Sequence, residues 1–238
     1  MEYFLDTADI NKIKKINEIF PIAGVTTNPS IIAKEKRDFK LIINDIYDII
    51  GKDKILHAQV AGNTADIIIK EVNRLRDLFG ENFYTKIPVT PEGIKAMKTL
   101  SKDGHKITAT GILSSQQIIM AAEAGAEYMA PYINRSDDIG ESGIEIVKDA
   151  YRILTINKKS EEECLKKYKR IFEPKILGAS FKNVRQVHET MLAGAKSVTV
   201  SPDVFERFIY HPYTDWSMDK FNSDWEEIYG NKNLLDLL

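Results

Sequence analysis

The segment FYTKIPVTPEG (83–93) places an amine, Lys86, inside a run that otherwise reads as a β-strand and ends at two prolines. An exposed lysine is almost wholly protonated near neutral pH and is a poor nucleophile. Burial disfavours the ammonium form, and a free amine attacks a ketone to give a Schiff base, which then serves as an electron sink for an adjacent carbon–carbon bond. Asp6, Gln59, Thr110 and Tyr132 stand at the ends of comparable apolar runs. Such groups move protons, directly or through a held water, and hydrogen-bond to substrate hydroxyls. A structural role fits the same residues equally well, with Lys86 paired to Asp6 in a core salt bridge. Arg135 follows the sixth run, and Ser180 and Lys182 follow the seventh in GASFKN. Cationic side chains, a hydroxyl and backbone amides together suit a phosphate group, so a phosphorylated, ketose-sized substrate is expected.

Eight short β-branched or apolar runs carry these residues: 3–6, 23–27, 55–60, 83–89, 106–112, 128–133, 175–180 and 197–201. Each is followed by a helix-periodic segment, several of which open on Ser, Thr or Asn and close on Gly. Eight βα units in 238 residues predict a single (β/α)8 (TIM) barrel over residues 1–210. Strand alternation turns Asp6, His57, Gln59, Lys86, Thr110, Tyr132, Ser180, Thr199 and Ser201 inward, while Leu56, Ala58, Val198 and Val200 face the helices. The inward polar residues then gather at the C-terminal rim, where barrels of this class build active sites. Two segments stand outside the eightfold pattern. Residues 157–173, NKKSEEECLKKYKRIFE, read as an inserted surface helix with Glu162/Lys166 and Glu163/Lys167 spaced i,i+4. Residues 211–238 hold both tryptophans and read as a C-terminal helical tail that packs on the barrel or on a neighbouring subunit.

Composition narrows the partners. The chain is 43% hydrophobic and 29% charged with a formal net charge of −2, which lacks the basic field that nucleic acid or an anionic membrane requires. One cysteine, Cys164, allows no internal disulfide or thiolate cluster. No stretch reads as a leader or spanning helix, and a cytoplasmic location is expected. Four histidines occur without HExxH or paired spacing, so no metal is predicted and His57 reads as interior filling.

The motifs FLDTADI, AGVTTNPSII, HAQV, YTKIPVTPEG, AGAEYMAPYINR, LGASFKN and SVTVSPDV run through nearly the whole barrel. Together they resemble the small class I aldolases of the transaldolase family, which include the fructose-6-phosphate aldolases. The resemblance implies that Lys86 forms the Schiff base with a dihydroxyacetone unit. It implies that Asp6 and Asn28 hold or deprotonate substrate hydroxyls and that Arg135 and Ser180, with Lys182, bind the acceptor's phosphate; Thr26, in the same GVTTNPSII motif, is a further candidate for substrate binding. It also implies that no cofactor is used and that the protein is a ring-built homo-oligomer, often a decamer, with C-terminal helices reaching across subunits. Transaldolases resemble one another in having Glu where this chain has Gln59 and Phe where it has Tyr132. Gln59 and Tyr132 therefore align the chain with the aldolases, in which Tyr132, Gln59 and Thr110 would position a catalytic water and free dihydroxyacetone would leave. Thr108 matches neither pattern. The expected reaction is reversible cleavage of fructose 6-phosphate, or a related ketose, to dihydroxyacetone and glyceraldehyde 3-phosphate. The alternatives are a transaldolase of the pentose phosphate pathway, a barrel isomerase using a carboxylate base, and a non-catalytic sugar-phosphate binding barrel.

Overall fold

Eight parallel strands close on themselves in the order β1 to β8 in the computed structural model, which describes residues 1–80 and 82–238. The strands are β1 (Glu2–Asp6), β2 (Gly24–Thr26), β3 (Ile55–Gln59), β4 (Phe83–Pro88), β5 (Ile107–Ile112), β6 (Tyr128–Pro131), β7 (Lys175–Gly178) and β8 (Ser197–Val200). The helices in chain order are α1 (Ile10–Ile19), α2 (Pro29–Lys34), α3 (Phe39–Ile50), α4 (Ala65–Phe79), α5 (Pro91–Leu100), α6 (Ser115–Glu123), α7 (Ile133–Asp138), α8 (Gly143–Ile156), α9 (Glu161–Tyr168), α10 (Val184–Leu192), α11 (Pro202–Phe205) and α12 (Pro212–Tyr229). The expected (β/α)8 barrel is present, with each predicted strand within one or two residues of its place.

Local chemistry sets where strands give way to helices. Asp9, Asn28, Thr64, Thr90, Ser114 and Asn183 are N-caps whose side-chain oxygens accept from backbone N–H groups in the first turn. Each cap satisfies donors that a helix start leaves unpaired, so the chain turns at the strand's C-terminal end without stranding polar groups. Inside the barrel Phe4, Tyr84, Tyr128, Ala130, Leu177 and Ala179 pack together. The alternate positions, including Leu5, Val25, Leu56, Ala58, Ile87, Met129, Val198 and Val200, are buried between strands and helices.

β7 departs from the expected parity. Leu177 and Ala179 belong to the interior cluster, and the strand ends before Ser180, whose φ is 63°. Alternation stops there, and a left-handed residue rather than the pleat aims Ser180. The segment 157–173 differs too. α9 has a Ser160/Glu163 capping box and buries Cys164 and Tyr168, while Lys159 and Lys167 pair with Glu123 of α6. Glu163 is spent on the cap, so α9 is anchored to the barrel flank by an apolar face and by lysines that reach off the helix.

Residues Met1–Phe205 form one compact unit and Glu206–Leu238 another. In the second, α12 has no buried residue; Trp225 Nε1 donates to Lys232 O at 2.6 Å and its ring lies 4.6 Å from that of Tyr229. Among the described residues no helix is long and apolar enough to cross a membrane.

Candidate active site

Lys86 enters the barrel lumen from the fourth residue of β4. In register it faces Gln59 of β3 on one side and Thr108 of β5 on the other. Its side chain is 5% exposed, and Nζ donates to the Thr27 carbonyl at 3.0 Å. Asp6 does not neutralise it: the Asp6 carboxylate accepts from Thr26 Oγ1 at 2.6 Å, and among the described residues no ion pair joins Asp6 to Lys86. The salt-bridge alternative is therefore not what the fold builds. Thr26 Oγ1 also meets Thr199 Oγ1. With a single proton on the Thr26 hydroxyl committed to Asp6, Thr199 is the donor in that second bond, giving a chain Thr199 to Thr26 to Asp6.

On the β5–β6 side of Lys86, Thr110 Oγ1 and Tyr132 Oη lie 3.1 Å apart. β5 reaches this position through a bulge, where register shifts between Ala109 and Ile112 and Gly111 takes φ 72°. A side chain at Gly111 would oppose that left-handed backbone, so the glycine is what lets the strand kink beyond Thr110. Tyr132 is held by its backbone: its N–H donates to Ile112 O, and its carbonyl accepts from Ser136 N and Oγ. One turn further along α7, the Arg135 guanidinium lies 4.6 Å from the Tyr132 ring centroid.

The remaining predicted residues line the rim. Gln59 is half-buried at the end of β3. Asn28 is half-buried and caps α2, its Oδ1 accepting from Ile31 N at 3.0 Å. Ser180 and Lys182 sit on the loop leading to α10, with Lys182 exposed. That loop is tied to α7: Asn134 N donates to Ser180 O, and Gln186 Nε2 donates to Asn134 Oδ1 and Asp137 Oδ2. Arg135, Ser180 and Lys182 thus occupy two neighbouring, cross-braced segments.

One contributor escapes a reading of residue types, and His57, read as interior filling and found so, gains a partner that such a reading does not give. The Thr27 carbonyl that receives Lys86 is backbone, and backbone acceptors leave no mark in a sequence. His57 is fully buried, and its Nδ1 lies 2.8 Å from Thr108 Oγ1. Its ring packs against Phe4, Tyr84 and Tyr128, and Nε2 has no hydrogen-bond partner among the described residues. Burial first, then the charges of Lys86 and Lys175, holds His57 well below the usual imidazole range and so neutral. The signal available was the departure at Thr108, which acquires its partner only when β4 takes β3 and β5 as its two neighbours. Among the described residues no group of three or more His, Cys, Asp or Glu is placed to hold a metal ion.

This constellation, a buried amine on one carbonyl with a hydroxyl–carboxylate chain on one side and a phenol–hydroxyl pair on the other, is equipped to form an imine and to move protons beside it. The family model described as Transaldolase/Fructose-6-phosphate aldolase matches residues 3–233. A probable fructose-6-phosphate aldolase of Streptococcus pneumoniae is 37% identical over 98% of this chain and all of the relative. Probable transaldolases of Brachyspira hyodysenteriae and Agathobacter rectalis are 39% and 38% identical, each over 97% of this chain and all of the relative. Among solved structures, inosine 5' monophosphate dehydrogenase from Legionella pneumophila superposes with a TM-score of 0.57 at 11% identity, over 86% of this chain and 58% of that one. (S)-Mandelate dehydrogenase gives 0.55 at 12% identity, over 87% of this chain and 69% of that one. At such identities the two structures share the barrel fold alone.

Proposed function

We propose, for a chain that belongs to the transaldolase/fructose-6-phosphate aldolase family and is an enzyme of the class I aldolase/transaldolase type, that Lys86 is the Schiff-base nucleophile of a ketose-phosphate aldolase. The observation that carries this reading is the Lys86 amine, buried at the end of β4 and hydrogen-bonded to a neutral carbonyl instead of a carboxylate. Its free amine attacks the carbonyl carbon of fructose 6-phosphate or a related ketose, and the carbinolamine loses one water to give an iminium. The bond between the carbon next to the iminium carbon and the hydroxyl-bearing carbon beyond it breaks; its electron pair forms an enamine, and that hydroxyl loses its proton as glyceraldehyde 3-phosphate leaves. Proton return to the enamine and hydrolysis release dihydroxyacetone. Asp6, hydrogen-bonded to Thr26, serves the hydroxyl, and Tyr132, with Thr110 and Gln59, serves the water and the enamine carbon. Asn28 holds donor hydroxyls and the buried Thr26 orients Asp6, while Arg135, Ser180 and Lys182 receive the phosphate across their cross-braced loops.

Transfer of the same enamine to a second aldose phosphate is the other reading, favoured by the relatives named as probable transaldolases. The Tyr132–Thr110 pair favours release, because it supplies proton-handling groups at which a hydrolytic water is held. Borohydride with dihydroxyacetone is expected to reduce an adduct onto Lys86, and an unmodified Lys86 under turnover conditions overturns the mechanism. Following fructose 6-phosphate with and without erythrose 4-phosphate separates the readings: free dihydroxyacetone as the main product supports the aldolase, whereas transfer product without release makes it a transaldolase. The same proposal includes a cytoplasmic location, no cofactor, and a homo-oligomer whose contacts involve the exposed Trp216, Phe221 and Ile228 of α12.

A further inference from the structure

Tyr132 is fixed at its backbone and at its tip, yet its ring is only half-buried and stands at an open rim. Two torsions remain between those anchors: rotation about Cα–Cβ swings Oη away from Thr110, and rotation about Cβ–Cγ turns the ring face away from its neighbours. One side of the ring is covered by the Arg135 guanidinium, 4.6 Å from the centroid. The placement follows from the chain: Arg135 stands three residues after Tyr132, and α7 begins immediately after the tyrosine, so one helical turn brings the side chain back over the ring. Arg135 is exposed and, among the described residues, pairs with no carboxylate. Its planar group can stack on a ring by its face while its edge N–H groups stay free for an anion.

We propose that Arg135 is a positioning residue for the Tyr132 phenol, holding the ring so that Oη stays beside Thr110 whether or not a phosphate is bound. The inference rests on the reading of Tyr132 as a proton-handling group, and it adds to Arg135 a role that requires no phosphorylated substrate. Phosphate binding at the guanidinium edge then secures the same stack, so the acceptor's charge is coupled to the alignment of the group that moves the proton.

The donor half-reaction isolates this role. With dihydroxyacetone alone in D2O, the Lys86 amine and the ketone give an iminium and one water. A C–H bond beside the iminium carbon then breaks, its electron pair forming the enamine and its proton leaving to solvent by way of Tyr132. A deuteron returns to that carbon, and hydrolysis frees labelled ketone and amine. No phosphate takes part. Proton NMR of the full-length protein with dihydroxyacetone measures the exchange. Arg135→Met is expected to slow it at least about threefold at saturating ketone with little change in KM, and Arg135→Lys, which keeps a cation able to sit over the ring, to retain most of the rate. In a Tyr132→Phe background, itself slowed by roughly 10²-fold, Arg135→Met is expected to add nothing.

Normal exchange in Arg135→Met, with only the phosphorylated acceptor used less well, overturns the proposal and leaves Arg135 as a phosphate ligand. An equal loss with and without the Tyr132 hydroxyl also overturns it, because Arg135 then acts elsewhere. Unimpaired exchange in Tyr132→Phe is a different failure: it removes the phenol from proton transfer and so overturns the reading on which the inference stands.

Discussion

Both ends of this barrel point ionisable groups into the lumen, and they treat them in opposite ways. At the end where strands begin, Lys175 pairs with Glu2 at 2.7 Å, and Tyr128 Oη donates to the same carboxylate at 2.9 Å. Beside them Arg170 Nη1 meets Glu127 Oε2 at 2.6 Å, and Tyr84 Oη donates to that oxygen at 2.8 Å. Burial first, then the neighbouring carboxylates, pushes both phenols far above the usual tyrosine range, so they stay protonated as donors. At the end where strands finish, Lys86 has one carbonyl, Asp6 one hydroxyl, and Tyr132 a threonine and a guanidinium face. Charges at the base are matched to each other, which makes them inert. Those at the mouth are not paired with opposite charges, which leaves them free to bond a substrate.

Substitutions at the two ends should therefore separate activity from stability. The largest effect is expected from Lys86→Met: aldol cleavage falls by about 10⁴-fold or more, while the urea midpoint moves by no more than about 1 kcal/mol in unfolding free energy. A large loss of stability would show that Lys86 holds the fold as the base residues do. Glu127→Gln should behave in the opposite way. It leaves the mostly buried Arg170 charge uncompensated and costs about 2–3 kcal/mol, read from urea unfolding, with kcat of the folded enzyme unchanged. A fall in kcat without a fall in stability would erase the distinction between the ends.

The smallest effect probes the layer between them. His57 stays neutral in the fold and takes up its proton only on unfolding, so below about pH 6.5 the unfolded chain binds more protons and stability falls as pH falls. The limiting slope for one such group is about 1.4 kcal/mol per pH unit. His105, also lowered by burial and by Arg76, adds in the same direction. Unfolding free energies at pH 7.5 and 5.5 should therefore differ by less in His57→Phe than in the native protein. An identical difference would mean that His57 takes up its proton alike in the folded and the unfolded chain.

Much of this arrangement was legible in the residues. The eight runs, their caps and the period of two place Lys86, Asp6, Gln59, Thr110 and Tyr132 at strand ends, because parallel strands with packed faces leave little freedom in what points where. Parity failed at Ser180, where β7 ends early and a left-handed residue replaces the pleat. On α9, Glu163 and Lys167, spaced i,i+4, serve a cap and Glu123 of α6 instead of each other.

By itself the sequence determined the barrel and the inventory of its mouth, since patterning, capping and register are local and short in range. Only the tertiary structure decided the partners: Lys86 on the Thr27 carbonyl and not on Asp6, His57 on Thr108, and Arg135 over Tyr132. Each of the first two pairs joins segments with one strand between them in the closed sheet, and the third depends on where β6 yields to α7. A side chain's type says which bonds it can make, and closure of the sheet selects which of them it does make.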